Sequence, residues 1–217
     1  MIACITMLID HIGATLLPQC IMLRVIGRIA FPIYCFLLAE GVNYTRNSLH
    51  YGLRLGIGAI LSEIPFDLAL FGVISVRHQS VMITLMIGFI MAESIKRISK
   101  EYIKPLIILP FAVAAEWLCT DYGGWGVALI AMFVLTRNAP SKLLVQTFGL
   151  AVICYMMDSY VMTIFGLRIP IEMFALTAMI PIGLYSGQKQ SGNKLVQWGF
   201  YLFYPVHLMV LYLILRF

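Results

Sequence analysis

Charge is what this sequence has least of. Lys, Arg, Asp and Glu make up 12% of its 217 residues, against 61% hydrophobic. A soluble domain carries about a quarter charged residues and about half apolar ones. A core of this size could be buried inside one soluble domain, but the charged surface needed to dissolve that domain is missing. With a mean hydropathy of +0.93 and long apolar runs recurring along the chain, lipid is the solvent the sequence suits.

Other absences narrow the function. The cysteines (Cys4, Cys20, Cys35, Cys119, Cys154) show no CxxC or Cys/His ligand spacing, and most lie in apolar segments, where Cys behaves as a small hydrophobe. Shared sidedness alone makes a Cys20–Cys119 contact conceivable. There is no P-loop, GxGxxG, GxSxG, haem or metal-ligand motif, so no metal is expected. No basic face or aromatic–basic motif accompanies the net charge of +5, which therefore reads as topological rather than as a nucleic-acid footprint. A basic n-region and a small-residue cleavage site are lacking, so the first segment does not read as a removable signal peptide. No soluble domain, low-complexity tail or internal repeat interrupts the pattern, and residues 1–217 read as a single transmembrane domain.

What is present is a series of apolar segments of about membrane-spanning length. The expected fold is all-α, a polytopic transmembrane helix bundle of about nine spans (roughly eight to ten), with candidate spans at 1–21, 25–45, 51–72, 80–96, 103–120, 122–137, 141–164, 170–187 and 195–216. The turn Asp121-Tyr122-Gly123-Gly124 separates the fifth from the sixth, and Asp158 and Thr163 weaken the end of the seventh. With the N-terminus in the cytoplasm, the inner loops hold Arg46, Arg54, Lys96, Arg97, Lys100, Lys104, Arg137, Lys142, Lys189 and Lys194. The outer side keeps Arg24, Arg28, Arg77, Arg168 and Arg216, with the acids Asp121, Asp158 and Glu172. The positive-inside rule therefore predicts a multi-pass membrane protein with a cytoplasmic N-terminus and, with nine spans, an outer C-terminus. Trp117, Tyr122, Trp125, Trp198 and Tyr201 fall near span ends as interface anchors.

Against this background, Asp10, Arg28, Glu40, Glu63 and Asp67, with His11 and His207, stand inside apolar segments. Each charge at mid-bilayer costs about 2.5–3.5 kcal/mol on insertion scales, so these groups must face one another, water or a ligand. His11 lies about 16 Å along its helix, near the midplane. Its neighbour Asp10 cannot orient it, because adjacent helical residues point apart. His11 reads either as an interhelical hydrogen-bonding group or as a proton acceptor, and Asp10 either as an ion-pair partner or as a catalytic group. Arg24 and Arg28 share a helix face and suit an anionic ligand, or an ion pair with Asp10 or Glu63. Pro32 would free a carbonyl in mid-span. Glu63 and Asp67 also stand i,i+4, with Pro65 expected to break the helix between them. Close carboxylates are tuned towards acid/base work or ammonium recognition, unless they pair with Arg24 and Arg28. Glu40 lies towards the inner end of the second span, and Tyr204-Pro205-Val206-His207 adds a kinked histidine in the last.

Thr6-Met7-Leu8-Ile9-Asp10-His11-Ile12-Gly13, and Arg24-Val25-Ile26-Gly27-Arg28-Ile29-Ala30-Phe31-Pro32-Ile33 running on to Glu40-Gly41, closely resemble the start of the TraX family. The resemblance continues through Thr45-Arg46-Asn47, Leu61-Ser62-Glu63-Ile64-Pro65-Phe66-Asp67 and Thr120-Asp121-Tyr122-Gly123 to Phe203-Tyr204-Pro205-Val206-His207-Leu208, and so covers nearly the whole chain. Arg77-His78-Gln79-Ser80-Val81 departs from it by lacking an expected asparagine. The family is named after a conjugation protein that acetylates the pilin N-terminal amine, and is distantly similar to acyltransferase family 3 and the heparan-glucosaminide acetyltransferases.

The resemblance implies an acetyltransferase that takes acetyl-CoA from the cytoplasm and serves a peptide N-terminus or sugar acceptor on the outer face. On that reading His11 is the base or acyl carrier, with Asp10, Glu63 and Asp67 as further catalytic candidates. Arg24, Arg28, Glu40, Asp121, Tyr204 and His207 form the candidate substrate-binding set, Arg28 also being a candidate oxyanion donor. Arg46, Arg54, Lys96 and Arg97 would face the phosphates of CoA. The reading requires His11 to line a cavity open to the cytoplasm. Its rival is a proton-coupled transporter with the buried acids and histidines as relay.

Overall fold

The computed structural model describes residues 1–157, 161–164, 167–187 and 194–217; Asp158 and Lys189 lie outside them. The described chain is mostly helical. In order come α1 (Ile2–Thr15), α2 (Ile21–Gly27), α3 (Ala30–Tyr44), α4 (Ser48–Phe71), α5 (Val81–Lys96), α6 (Lys104–Trp117), α7 (Gly123–Leu135) and α8 (Lys142–Met156). A β-hairpin follows, β1 (Val161–Ile164) and β2 (Leu167–Pro170), then a 3₁₀ segment (Ile171–Ala178), α9 (Met179–Gly183) and α10 (Lys194–Arg216).

Local chemistry sets the helix ends. Asn47 caps α4, its side-chain oxygen accepting from the His50 N–H at 3.0 Å and so satisfying one of the free donors of the first turn. Gly72 ends the same helix in the left-handed region (φ 72°), where a side chain would strain the backbone. Pro32 falls in the first turn of α3, which begins at Ala30. There its missing N–H removes no helical bond, and the break in this span comes at Arg28–Ile29 rather than in mid-helix. Pro65 is likewise not a break, since α4 runs through it to Phe71.

Among the described residues, two stretches are long and apolar enough to cross a membrane, Ile21–Tyr44 and Trp198–Arg216. Ile2–Thr15, Gly123–Leu135, Lys142–Met156 and Ile171–Gly183 are apolar but shorter. The expected count of nine spans is thus not shown, and the expected seventh and eighth depart furthest from a regular helix. The helix over 141–164 stops at Met156, and the β-branched run that follows pairs antiparallel with β2, Val161 opposite Pro170 and Thr163 opposite Arg168. The segment 170–187 is largely 3₁₀, a tighter helix with poorer hydrogen bonds, here well beyond its usual length. Neither is a regular span, and the otherwise all-α fold carries this one short hairpin.

The core gathers on α3, α5 and α7, with Cys35, Met91, Val127 and Ile130 fully buried. α10 packs chiefly on α4, and α1 on α2. The outer faces stay apolar: Leu53, Ile57, Ile60, Leu61 and Ile64 of α4 are each at least 44% exposed. An apolar face of that extent is rare on a protein that water surrounds and fits a membrane protein.

Candidate functional site

Of the charges that the apolar background isolates, Asp10 and Arg28 come together, with Arg24, at the α1–α2 contact. Two glycines allow that contact. A β-carbon on Gly13 would lie 2.7 Å from Leu23 Cβ, and one on Gly27 would lie 2.0 Å from Asp10 Oδ1. With α2 this close, Arg24 Nη1 donates to Asp10 Oδ2 at 2.5 Å and Arg28 Nη2 donates to Asp10 Oδ1 at 2.8 Å. Arg28 Nη1 donates to Glu172 Oε1 at 2.9 Å. The planar guanidinium suits this bridging between carboxylates. Asp10 is therefore an ion-pair partner, and Glu172, placed only as an outer acid by the sequence, completes the cluster from the 3₁₀ segment.

These groups line a cavity of about 200 Å³ with His11, Asp121 and Tyr122. The Tyr122 ring stacks on Phe31 with centroids 3.5 Å apart, so it is a wall of the site rather than an interface anchor. Asp121, in the turn between α6 and α7, is open to the cavity, yet protein closes round it. The resulting loss of bulk water raises its carboxyl to about 6, against the lowering effect of Arg28 and Arg24. Two guanidiniums already face two carboxylates here, so Asp121 is the unmatched acid.

His11 is 8% exposed and lines the cavity. Its Nδ1 lies 2.7 Å from Nε2 of His207 on α10. His207 Nδ1 lies 2.6 Å from the Phe203 carbonyl one turn earlier, in the turn where Pro205 removes a backbone donor. Tyr204 sets its ring edge-on to both histidines, at centroid distances of 5.7 and 5.6 Å, and its hydroxyl is buried without a partner. The rings of α1 and α10 thus meet at the cavity.

Glu63 and Asp67 lie elsewhere and do not pair with Arg24 or Arg28. Glu63 accepts from the Ser80 hydroxyl at 2.5 Å and its N–H at 3.1 Å. Asp67 accepts from the Ser75 N–H at 2.8 Å. Both hold the 72–80 connection down on α4. That connection in turn exchanges backbone bonds with the turn carrying Asp121, Gln79 N–H to Cys119 O and Asp121 N–H to Gln79 O. Gln79 acts there through its backbone, which explains how the asparagine-less stretch still serves the site.

A second cavity, of about 370 Å³, opens at the opposite end of α3. Asn43, Lys96, Lys104, Arg137 and Asn138 are among its lining residues. Val42 lines this cavity and Arg28 the first; within α3 alone, Ala30 and Val42 are about 18 Å apart at a helical rise of about 1.5 Å per residue. Lys96 Nζ donates to the Val42 carbonyl at 2.8 Å. Arg137 pairs with Glu40 at 2.9 Å and lies over the Tyr44 ring at 5.0 Å. Glu40 is thus tied to the far end and does not join the His11 site. Of the four residues expected at the donor phosphates, only Lys96 lines this cavity. Arg46 and Arg97 are exposed on the surface, and Arg54 lies between the rings of Tyr51 and Tyr201. Lys104 and Arg137, read from sequence only as loop charges, line it as well.

Leu70, Asp121 and Met157 also line the His11 cavity, which lies at the end of α3 opposite the cavity lined by Lys96 and Lys104. Cys20 and Cys119 are both free.

Comparison with known proteins places the chain. No solved structure matches it. It is 28% identical to a probable fimbrial assembly protein FimC, serogroup H1, of Dichelobacter nodosus, over 97% of this chain and 91% of that protein. It is 26% identical to an uncharacterised protein of Rickettsia prowazekii, over 80% of this chain and 66% of that one. The sequence model of the family described as TraX protein matches residues 1–215, and the chain belongs to that family.

Proposed function

We propose that this chain is a multi-pass acetyltransferase of the bacterial inner membrane, N-terminus in the cytoplasm, that passes an acetyl group from acetyl-CoA to an amine or hydroxyl at the extracytoplasmic side. The observation that carries this reading is His11: a buried imidazole that lines a polar cavity beside paired guanidiniums. Membership of the TraX family supports it. The fimbrial-assembly name of the Dichelobacter relative favours the N-terminal amine of a surface-fibre subunit as acceptor, over a sugar hydroxyl.

In this scheme His11 takes the proton of the acceptor amine as its nitrogen attacks the thioester carbonyl. The C–S bond breaks, and the departing CoA thiolate recovers that proton from His11, leaving an acetylated amine and free CoA. Arg24, on the open side of the cluster, is the donor nearest to hand for the tetrahedral oxyanion; Arg28 has both of its Nη atoms engaged. The Lys96, Lys104 and Arg137 cavity suits the phosphates of the donor. Glu63 and Asp67 support the Asp121 turn and take no part in the chemistry.

The test is direct. Purified protein in detergent is incubated with acetyl-CoA carrying a radiolabelled acetyl group, with a peptide amine as acceptor. Wild type transfers label and releases CoA, and His11→Ala does neither while retaining its fold. Proton-driven solute flux through the wild type in liposomes, with no CoA binding or turnover, would replace this reading with a transporter.

A further inference from the structure

The hydrogen bonds around His11 decide which of its nitrogens carries the hydrogen. The chain of reasoning starts at the Phe203 carbonyl, which can only accept. His207 Nδ1, 2.6 Å away, must therefore be the protonated nitrogen of that ring. A neutral His207 then presents a bare Nε2, and His11 Nδ1, 2.7 Å from it, must be the donor. His11 is left with its hydrogen on Nδ1 and a lone pair on Nε2, the nitrogen not engaged by His207. A charged His207 would reverse the polarity, but it would add a third cation near Arg24 and Arg28, whose counter-ions Asp10 and Glu172 are already engaged.

We infer that His207 is a positioning residue that locks His11 in the tautomer with a free Nε2; the lock stands on geometry alone, and its chemical use rests on the acetyl-transfer reading. His207 is thereby removed from the substrate-binding set, because both of its ring nitrogens are occupied, one by Phe203 and one by His11. Tyr204 braces the pair through ring edges and not through its hydroxyl. The bare Nε2 is what either form of the chemistry requires. A general base needs the lone pair to receive the acceptor's proton, and an acyl carrier needs it to attack the thioester. In both cases the positive charge that develops on the His11 ring is met by the Nδ1–H bond to His207, just as a buried acceptor behind a catalytic imidazole holds its tautomer and orientation. The signal is hidden in the sequence because 196 residues separate the two rings.

Nitrogen NMR of ¹⁵N-histidine-labelled protein in bilayers reads the tautomer directly, since protonated and bare ring nitrogens resonate far apart. With the exposed His50 and His78 replaced by Gln, the two remaining rings are expected to show Nδ1 protonated and Nε2 bare. A His11 ring protonated at Nε2 overturns the lock. Two variants then separate positioning from substrate binding. His207→Gln offers a carbonyl oxygen to His11 Nδ1–H and is expected to retain turnover. His207→Leu offers none and is expected to lose roughly 100-fold or more in kcat with KM little changed, and its His11 signals should show mixed tautomers. Equal losses in both variants, with KM raised, would make His207 a substrate ligand and refute the inference. The NMR pattern without any wild-type acetyl transfer would keep the lock and dismiss the transferase reading.

Discussion

Gly27 and Asp10 are in contact at a separation that no other residue at position 27 permits, the space for a β-carbon being filled by the Asp10 carboxylate. The absence of one side chain thereby sets the geometry of both arginine pairs, since Arg24 and Arg28 flank Gly27 on the same short helix and both reach Asp10. Gly27→Ala is expected to push α1 from α2 and to destabilise the protein by about 1–3 kcal/mol, the usual range for an overpacked site. Thermal unfolding in detergent measures this, and an unchanged melting temperature would show that the contact is slack.

Arg28 and Glu172 are the next pair to separate experimentally. Both side chains are 9% exposed, so removing one partner strands a buried charge, at a cost of about 3–5 kcal/mol. Arg28→Leu and Glu172→Leu should each lower stability sharply, while the double variant recovers part of the loss. A double-mutant cycle should give a coupling of about 0.5–3 kcal/mol. Strict additivity would remove Glu172 from the cluster.

Asp121 makes stability depend on pH in a particular direction. Its carboxyl is raised from 3.8 to about 6 in the folded protein, chiefly because surrounding protein displaces bulk water, an effect that its exposed edge weakens through solvent screening, so the fold binds a proton more tightly than the unfolded chain does. A raised carboxyl destabilises the fold when ionised, and the penalty is relieved as pH falls from about 6 towards 4. Wild type should therefore gain on Asp121→Asn across that window. Equal differences in melting temperature at pH 7 and pH 4.5 would contradict the shift.

Cys119 reports on sidedness. It is exposed, while Cys4, Cys35 and Cys154 are buried, and it precedes the turn that carries Asp121. With the N-terminus inside, a membrane-impermeant maleimide added to spheroplasts should label Cys119, and Cys119→Ser should abolish most of that signal. Labelling only after permeabilisation would invert the topology and place the His11 cavity at the cytoplasmic face.

The sequence by itself determined the class of protein and most of its site. Apolar runs without a charged surface dictate lipid as solvent. The price lipid sets on a charge makes each misplaced residue conspicuous, so Asp10, His11, Arg28 and His207 stand out before any fold is known. Periodicity located the helices wherever the run was long and uniform, as in α3, α4 and α10. It misread the stretch after Met156, because a short β-branched run suits a strand as well as a span, and only a partner strand decides between them. It misread Pro32 and Pro65 because the effect of a proline depends on where the helix begins and on what packs around it.

Tertiary structure alone decided the partnerships. Two carboxylates at i,i+4 look like a tuned pair until the 72–80 connection is found seated on them, and Glu40 looks like a site residue until Arg137 claims it. Glu172, Tyr122, Lys104 and Arg137 were unremarkable by type and position, and became part of a cavity only when distant helices met. Sequence spacing fixes which groups share one helix face; which faces meet is set by close approaches such as Gly13 to Leu23 and Gly27 to Asp10, where a missing β-carbon lets two backbones come within reach.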